Sequence, residues 1–355
     1  MPRFVQTFDS AIRKGQAGLG NRLVRAAFWW LSIPYCIGVW FRNRHFDRNP
    51  NRAVRVPIPV ISIGNLTLGG TGKTPAVEFF ARHLQNRDRQ VAILSRGYGN
   101  DIGPNDEALL LEENLPDVPH LQGRDRVALA AMALEELESE VLLLDDGFQH
   151  RRLHRDFDIV LIDATRNIFD EYMFPRGLLR EPVTSLKRAD AVILTRCDQT
   201  TTDNVQVLAA ELNRRFPQLI VASARHSTLE LIREGKSPLD PSDLRGRAVL
   251  AFCGIGNPEA FQLTLLDLGA NVIGFRPFAD HHKYTRDDVE SLTSWAATFP
   301  VETVVLTTQK DFVKLRTPDF AERPLLALRI EFAFHSGESE LLTRLDSMLP
   351  ESINS

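Results

Sequence analysis

Eight consecutive residues, Thr67-Leu68-Gly69-Gly70-Thr71-Gly72-Lys73-Thr74, carry the chemistry that is easiest to name. They follow the apolar run Pro59-Val-Ile-Ser-Ile63 and precede Val77, Phe80, Ala81 and Leu84, spaced i, i+3, i+4, i+7 as on one helix face. Strand, glycine-rich loop and helix in that order make a triphosphate cradle. Glycines let backbone N–H groups close on phosphate oxygens at a helix N-terminus. Lys73 is expected to reach the β- and γ-phosphates of a bound triphosphate, and the Thr74 hydroxyl to bind Mg²⁺. The pattern G-x-x-x-x-G-K-[ST] departs at its first position, where Thr67 stands. Pro75 falls in the first helical turn, where the missing N–H does no harm.

A second constellation is Val141-Leu-Leu-Leu-Asp145-Asp146. An apolar strand ending in carboxylates, one domain-span after a P-loop, places Asp145 and Asp146 as Mg²⁺ ligands, directly or through water. Arg180 has the chemistry to offset γ-phosphate charge or to hold a substrate phosphate bidentately.

The elements that must position these groups read as an alternation. Strands are predicted at Pro59–Ile63, Gln90–Ser95, Val141–Leu144, Ile159–Ile162, Ala191–Leu194 and Leu219–Ala222, and their unbroken Val/Ile/Leu character suits parallel strands covered on both faces. Helical patterns between them imply a P-loop NTPase-like, doubly wound, mostly parallel α/β sheet with ligands at the strand carboxyl ends. Ser227–Arg247 is polar and turn-rich. A second α/β series follows, with strands at Arg247–Phe252, Asn271–Phe275, Thr303–Leu306 and Leu325–Ile330 and a closing helix at Glu338–Met348. The expected division is an N-terminal segment 1–55, a P-loop domain 56–222, a hinge 223–247 and a smaller α/β domain 248–355.

Composition narrows the class. At 355 residues, 43% hydrophobic and 25% charged, the chain is long enough for two ordinary cores. A net charge of −4 argues against nucleic acid as a partner. Three cysteines far apart, Cys36, Cys197 and Cys253, fit reduced cytosolic thiols. The charge is uneven, because residues 1–55 hold ten Arg or Lys against Asp9 and Asp47. This basic segment brackets the apolar run Ala26–Phe41. The run is short for a transmembrane helix and contains Pro34, and Arg-Asn-Arg-His follows it in place of a signal-cleavage site. The favoured reading is a helical anchor on an anionic membrane surface, with Trp29, Trp30, Tyr35 and Trp40 at headgroup depth. A hydrophobic hairpin packed on the protein's own core is the alternative.

Taken together, Gly64-Asn65-Leu66 with the P-loop, Leu94-Ser95-Arg96-Gly97-Tyr98-Gly99, Asp145-Asp146-Gly147-Phe148-Gln149-His150 and Leu179-Arg180-Glu181-Pro182 strongly resemble the tetraacyldisaccharide 4′-kinase family of lipid A synthesis. The resemblance continues through Phe278-Ala-Asp280-His281-His282-Lys-Tyr284 and Leu306-Thr-Thr-Gln309-Lys310-Asp311 and spans nearly the whole chain. It implies ATP and Mg²⁺ as cofactors and a tetraacylated glucosamine disaccharide 1-phosphate as substrate. Phosphorylation of the 4′-hydroxyl, giving the 1,4′-bisphosphate and ADP, would occur at the cytoplasmic face of the bacterial inner membrane, with the enzyme expected to be a monomer. By the same resemblance Lys73 and Thr74 match the P-loop lysine and metal-binding hydroxyl, and Asp145 and Asp146 the paired acids at the metal. Arg180 and Glu181 match a pair lining the active site. Asp106 and His281 match a dyad that deprotonates the sugar hydroxyl, with His282 the alternative partner. Asn105 stands where the family has Gly, and Gln309 where it has Glu.

Two rivals stay open at this level. One is a P-loop GTPase or ATPase switch, since Thr195-Arg196-Cys197-Asp198 echoes the guanine-reading T/N-K-x-D with Arg for Lys. The other is a membrane-associated nucleotide-binding module, for which Thr67 is the support.

Overall fold

The computed structural model describes residues 19–97, 106–315, 317 and 319–350, with backbone alone for 19–23. Residues 1–18 of the basic segment, Tyr98-Gly99 and Asn105 lie outside the described residues. In chain order the elements are α1 Leu19–Arg48, β1 Val60–Asn65, α2 Lys73–Gln85, β2 Val91–Ser95, α3 Asp106–Asn114, β3 His120–Gln122, α4 Arg126–Glu136, β4 Val141–Asp145, β5 Phe157–Asp163 and β6 Ala191–Thr195. They continue as α5 Thr202–Arg215, β7 Ile220–Arg233, β8 Lys236–Leu239, β9 Ala248–Cys253, α6 Pro258–Asp267, β10 Asn271–Pro277, α7 Arg286–Ala297, β11 Val304–Thr308, α8 Gln309–Phe312, β12 Asp319–Phe320, β13 Arg323–Ser336 and α9 Glu338–Asp346.

The described residues form two compact units, one from within 1–101, 115–225 and 333–355, the other from within 102–114 and 226–332. In the first unit the strand order is β7-β6-β5-β1-β4-β2-β3, all parallel. Every residue of β1, β2 and β6 is buried, which is why these strands read as continuous apolar runs. The periodic face of α2 is buried at Val77, Phe80, Ala81 and Leu84 as expected. In the second unit β10-β9-β11-β13 run parallel around a core containing Leu250, Phe252, Leu306 and Leu325.

The structure departs from the linear division in three places. The polar stretch expected to be a hinge is a hairpin: β7 runs fourteen residues to Arg233 and pairs antiparallel with β8. Its half-buried polar residues, His226, Ser227, Thr228 and Glu230, break the apolar run that would mark a strand. Helix α3, inside the expected kinase domain, belongs to the second unit, and the closing helix α9 belongs to the first. The expected apolar anchor is one helix, α1, that passes through Pro34 without breaking, so the hairpin alternative is not what forms.

Helix α1 has two faces. Ser32, Tyr35, Cys36, Val39, Arg42, Asn43 and Phe46 form a helical stripe that is buried or half-buried. Trp29, Trp30, Leu31, Ile37, Trp40 and Phe41 are exposed, Trp30 by 65% and Phe41 by 62%. Residues 24–48 are long and apolar enough to cross a membrane by length and composition. The inward stripe is bound to the first unit: the Tyr35 hydroxyl donates to the Arg180 carbonyl at 3.0 Å, and Arg42 and Asn43 reach Glu181.

Candidate functional site

The P-loop lies where β1 gives way to α2. Gly72 caps α2 in the left-handed region (φ 80°) without a side-chain cap, and no acid occupies the first turn. The first N–H groups of α2 and their positive partial charge are therefore left for an anion. Gly69 also has positive φ, at 105°, which only glycine adopts readily. The loop is held from outside by hydrogen bonds. Asn65 Nδ2 donates to the Thr67 carbonyl at 2.8 Å, Leu68 N to the Leu178 carbonyl at 2.8 Å, and the Thr195 hydroxyl to the Thr71 carbonyl at 2.9 Å. Thr67, at the departing first position, forms an antiparallel bridge with Leu179, so a residue with ordinary extended backbone suits the place.

Asp145 ends β4 in register with Ile63 of β1, and Asp146 follows at φ 53°. The two strand ends are pressed together. A Cβ on Gly64 would sit 2.6 Å from Phe148 Cβ, and one on Gly147 would sit 2.6 Å from Ser62 Oγ. Gln149 Nε2 donates to the Asn65 carbonyl at 2.8 Å, a further tie between the acidic motif and the base of the P-loop. Arg126, which sequence reasoning missed, donates from Nη2 to the Asp145 carbonyl at 3.0 Å and is almost fully buried.

Two cations converge on Asp146. Arg180 Nη1 donates to both carboxylate oxygens at 2.9 and 2.8 Å, and Lys73 Nζ lies 3.8 Å from Oδ1. Burial alone would raise the Asp146 pKa, but Lys73 and Arg180 outweigh it and hold the carboxyl below its usual range. The donors of Thr74, Asp145 and Asp146 are all hard oxygens. That set suits Mg²⁺, which takes one or two carboxylates with waters and substrate phosphates rather than a full protein cage.

Glu181 is a correction to the sequence reading. It does not line the site, because its side chain has no exposed surface and is bound by Arg42, by Arg188 at 2.8 Å and by Asn43 Nδ2 at 3.0 Å. It anchors α1 and thereby the backbone of its neighbour Arg180.

Asp106 and His281 come together within the second unit. Asp106 opens α3, and His281, at φ 56°, presents Nδ1 to Asp106 Oδ2 at 3.2 Å. The hydrogen bond to Asp106 raises the His281 pKa above its ordinary value. Burial pushes Asp106 up, but His281, Lys314 and Lys310 together hold it low. His282 is occupied elsewhere, bonded to Asp288 at 3.1 Å and stacked on Phe278. The sequence did not point to the lysines here. Lys310 Nζ lies 3.1 Å from Glu107 and 3.5 Å from His281 Nε2, and Lys314 lies 3.4 Å from Asp106. Gln309 acts as a dock for α3, because its buried amide donates to Asn114 Oδ1 at 2.6 Å and fastens the end of that helix onto α8.

A family model for tetraacyldisaccharide-1-P 4′-kinase (LpxK) matches residues 24–350. The chain belongs to that family. It is 39% identical over 328 residues to the tetraacyldisaccharide 4′-kinase of Syntrophus aciditrophicus, covering 84% of this chain and 87% of that one. To the enzyme of the same name from Anaeromyxobacter sp. (strain Fw109-5) it is 38% identical, covering 88% of each. Among solved structures, LpxK from Aquifex aeolicus in complex with ATP aligns with a TM-score of 0.74 at 31% identity, over 92% of this chain and all of that one. The α/β fold with its P-loop is thus the fold of a kinase family.

Proposed function

We propose that this chain transfers the γ-phosphoryl group of ATP to the 4′-hydroxyl of a tetraacylated glucosamine disaccharide 1-phosphate, giving the 1,4′-bisphosphate and ADP. The observation that carries this reading is the convergence of Lys73 and Arg180 on Asp146 beside an uncapped helix N-terminus, in a chain of this family. The loop Thr67–Thr74 binds the triphosphate through backbone N–H groups. Lys73 and Arg180 offset charge on the transferring group, turning from Asp146 toward phosphate oxygens as these arrive. Thr74, Asp145 and Asp146 would hold Mg²⁺, which would supply neutralisation of the phosphate charge.

The acceptor hydroxyl is a weak nucleophile, so a positioned base helps it. His281 takes its proton at Nε2, while Asp106 at Nδ1 fixes the tautomer and stabilises the imidazolium. As the new P–O4′ bond forms, the bond to ADP breaks and ADP leaves with its electron pair. Glu181 contributes by holding Arg180's backbone in place.

The exposed aromatic face of α1 rests in the cytoplasmic leaflet, flanked by arginines that meet anionic headgroups. Its other face is bonded to the first unit, which supports a helix lying on the bilayer rather than crossing it. A four-chain lipid stays in the bilayer, and this face brings the enzyme to it. The test is labelled-phosphate transfer from ATP to the disaccharide 1-phosphate. Lys73→Ala is expected to lower turnover by orders of magnitude with the fold intact, and near-normal activity in that variant would refute the nucleotide-site assignment.

A further inference from the structure

Lysine is almost never buried unless its charge is paired, and the second unit buries one. Lys314, just past α8, is almost wholly enclosed, with its ammonium 5.4 Å from the centre of the Tyr284 ring. Its Nζ meets three acceptors: Asp311 Oδ1 at 2.9 Å, the His282 carbonyl at 3.1 Å and Asp106 Oδ2 at 3.4 Å. Asp311 has no exposed surface, and its other oxygen accepts from Gly254 N at 2.8 Å and from the Thr308 hydroxyl at 2.7 Å. The Gly254 carbonyl accepts in turn from His281 N at 3.1 Å. The contacts close into a ring that runs from Asp311 through Lys314, Asp106, His281 and Gly254 back to Asp311. It is tightly packed, since a Cβ on Gly254 would lie 3.0 Å from Asp311 Oδ1 and 3.1 Å from His282 Cβ.

An ion pair with Asp311, three residues earlier, would be enough to fix the end of α8. The reach to Asp106 is additional, and it falls on Oδ2, the same oxygen that His281 Nδ1 meets at 3.2 Å. An ammonium there keeps that oxygen an acceptor, so the imidazole proton stays on Nδ1 and the lone pair on Nε2. It also offsets part of the Asp106 charge, which otherwise favours the imidazolium and holds back the proton that His281 has taken. The other charges around the ring pull both ways. Glu107 Oε1 at 3.7 Å and Asp280 Oδ1 at 4.0 Å from Nε2 favour the imidazolium, and Lys310 at 3.5 Å opposes it. His282 and Asp288 are paired with each other, and the Tyr284 phenol, raised by burial, stays neutral. Three carboxylates thus face one imidazole, and Lys314 is the cation set on the carboxylate that touches it.

We propose that Lys314, pinned by Asp311, is a positioning residue of the dyad: it fixes the Asp106 carboxylate against His281 Nδ1 and offsets its charge, so that the imidazole takes the acceptor's proton and gives it up again. The inference rests on the dyad reading above and extends it to a residue that acts only through Asp106.

The test is the pH profile of phosphate transfer by the full-length protein in detergent, with kcat and KM measured separately. Lys314→Gln keeps a hydrogen-bond donor and removes the charge. Its kcat is expected to fall about tenfold, a fraction of what a positioned base contributes, with the KM for ATP and for the disaccharide 1-phosphate within about twofold of wild type. The acid limb of kcat/KM is expected to move up by about 0.5–1 pH unit, the scale of one nearby charge on a group in contact with water. Lys314→Arg restores the charge and should return the limb to its wild-type place with most of kcat. Because Lys314→Gln leaves Asp311 buried without its cation, Lys314→Gln with Asp311→Asn serves if the single variant fails to fold, and it should shift the limb the same way. A loss of kcat that tracks thermal stability with the limb unmoved, or a limb moved to lower pH, would overturn the role of Lys314. If Asp106→Asn moves the limb and Lys314→Gln does not, the dyad reading stands without this inference. A limb that ignores Asp106→Asn would remove both.

Discussion

Glu181→Gln separates an anchor from a catalyst. The substitution keeps volume and one accepting oxygen but removes the negative charge that faces two guanidinium groups. Arg188 loses most. Its side chain is 19% exposed and is held over the Phe148 ring at 3.8 Å, so it cannot swing into water. A buried pair that loses one partner costs about 3–5 kcal/mol. Arg42 is 39% exposed and can rehydrate, so its share is that of a surface pair, about 0–1 kcal/mol. The glutamine oxygen still accepts from one cation, which puts the sum near the low end, about 3 kcal/mol. For a domain of this size each kcal/mol moves Tm by about 2–4 °C, so the midpoint should fall by about 6–12 °C. Thermal unfolding in detergent reads this directly, and ATP affinity measured well below the midpoint should stay close to wild type. An unchanged midpoint with collapsed turnover would mean that Glu181 acts in the chemistry, and the anchoring argument would be wrong.

The dyad should show in pH profiles. Neutral His281 is the working form, so kcat/KM should rise with pH through its raised pKa, and Asp106→Asn should move that limb to lower pH while lowering the plateau. Stability carries the opposite signature. The raised His281 stabilises below about pH 6.5 and loses this as pH climbs through its folded value, while the lowered Asp106 stabilises above about pH 4 and loses it in acid, so denaturant midpoints should gain most from the pair between those limits. Because the two residues act as a unit, Asp106→Ala with His281→Ala should be little worse in kcat than the poorer single variant; multiplicative losses would mean separate jobs. Replacing Trp29, Trp30 and Trp40 together should release the protein from anionic liposomes with ATP affinity retained, and a wild-type chain left wholly in the supernatant at low salt would refute membrane contact by α1.

The parts legible in the sequence were those whose cause is local. β1, the P-loop and α2 combine an apolar strand, obligatory glycines and a 3.6-residue period, each visible within a few positions. β7 and β13 were read as less than half their length because their C-terminal halves mix polar and half-buried residues, such as His226, Ser227 and Thr228 in β7 and Glu331, His335 and Ser336 in β13, and apolar runs are blind to that. β3, three half-buried residues, is too short to leave a pattern. Glu181 was expected in the site because the resemblance pairs it with Arg180, but adjacent residues on an extended backbone point to opposite sides, and here one meets Asp146 while the other is buried under α1. Lys310 and Lys314 were invisible as neighbours of Asp106, since nothing local links residues so far apart in sequence.

The placement of α3 has a consequence for how the chain is made. The helix that carries Asp106 leaves the ribosome 195 residues before Gln309, the side chain that receives its far end. At about 5–20 residues per second, that interval lasts about 10–40 s. Through it the helix lacks α8, which receives Asn114, while Ala108 and Leu111 are buried only in the finished fold. A nine-residue helix is marginal by itself in water, so this segment spends that time as uncovered apolar chain. The nascent protein thus exposes a hydrophobic segment from its first half until nearly the end of synthesis, which makes residues 106–114 a natural point of capture for a chaperone and a place where slowed translation would promote aggregation.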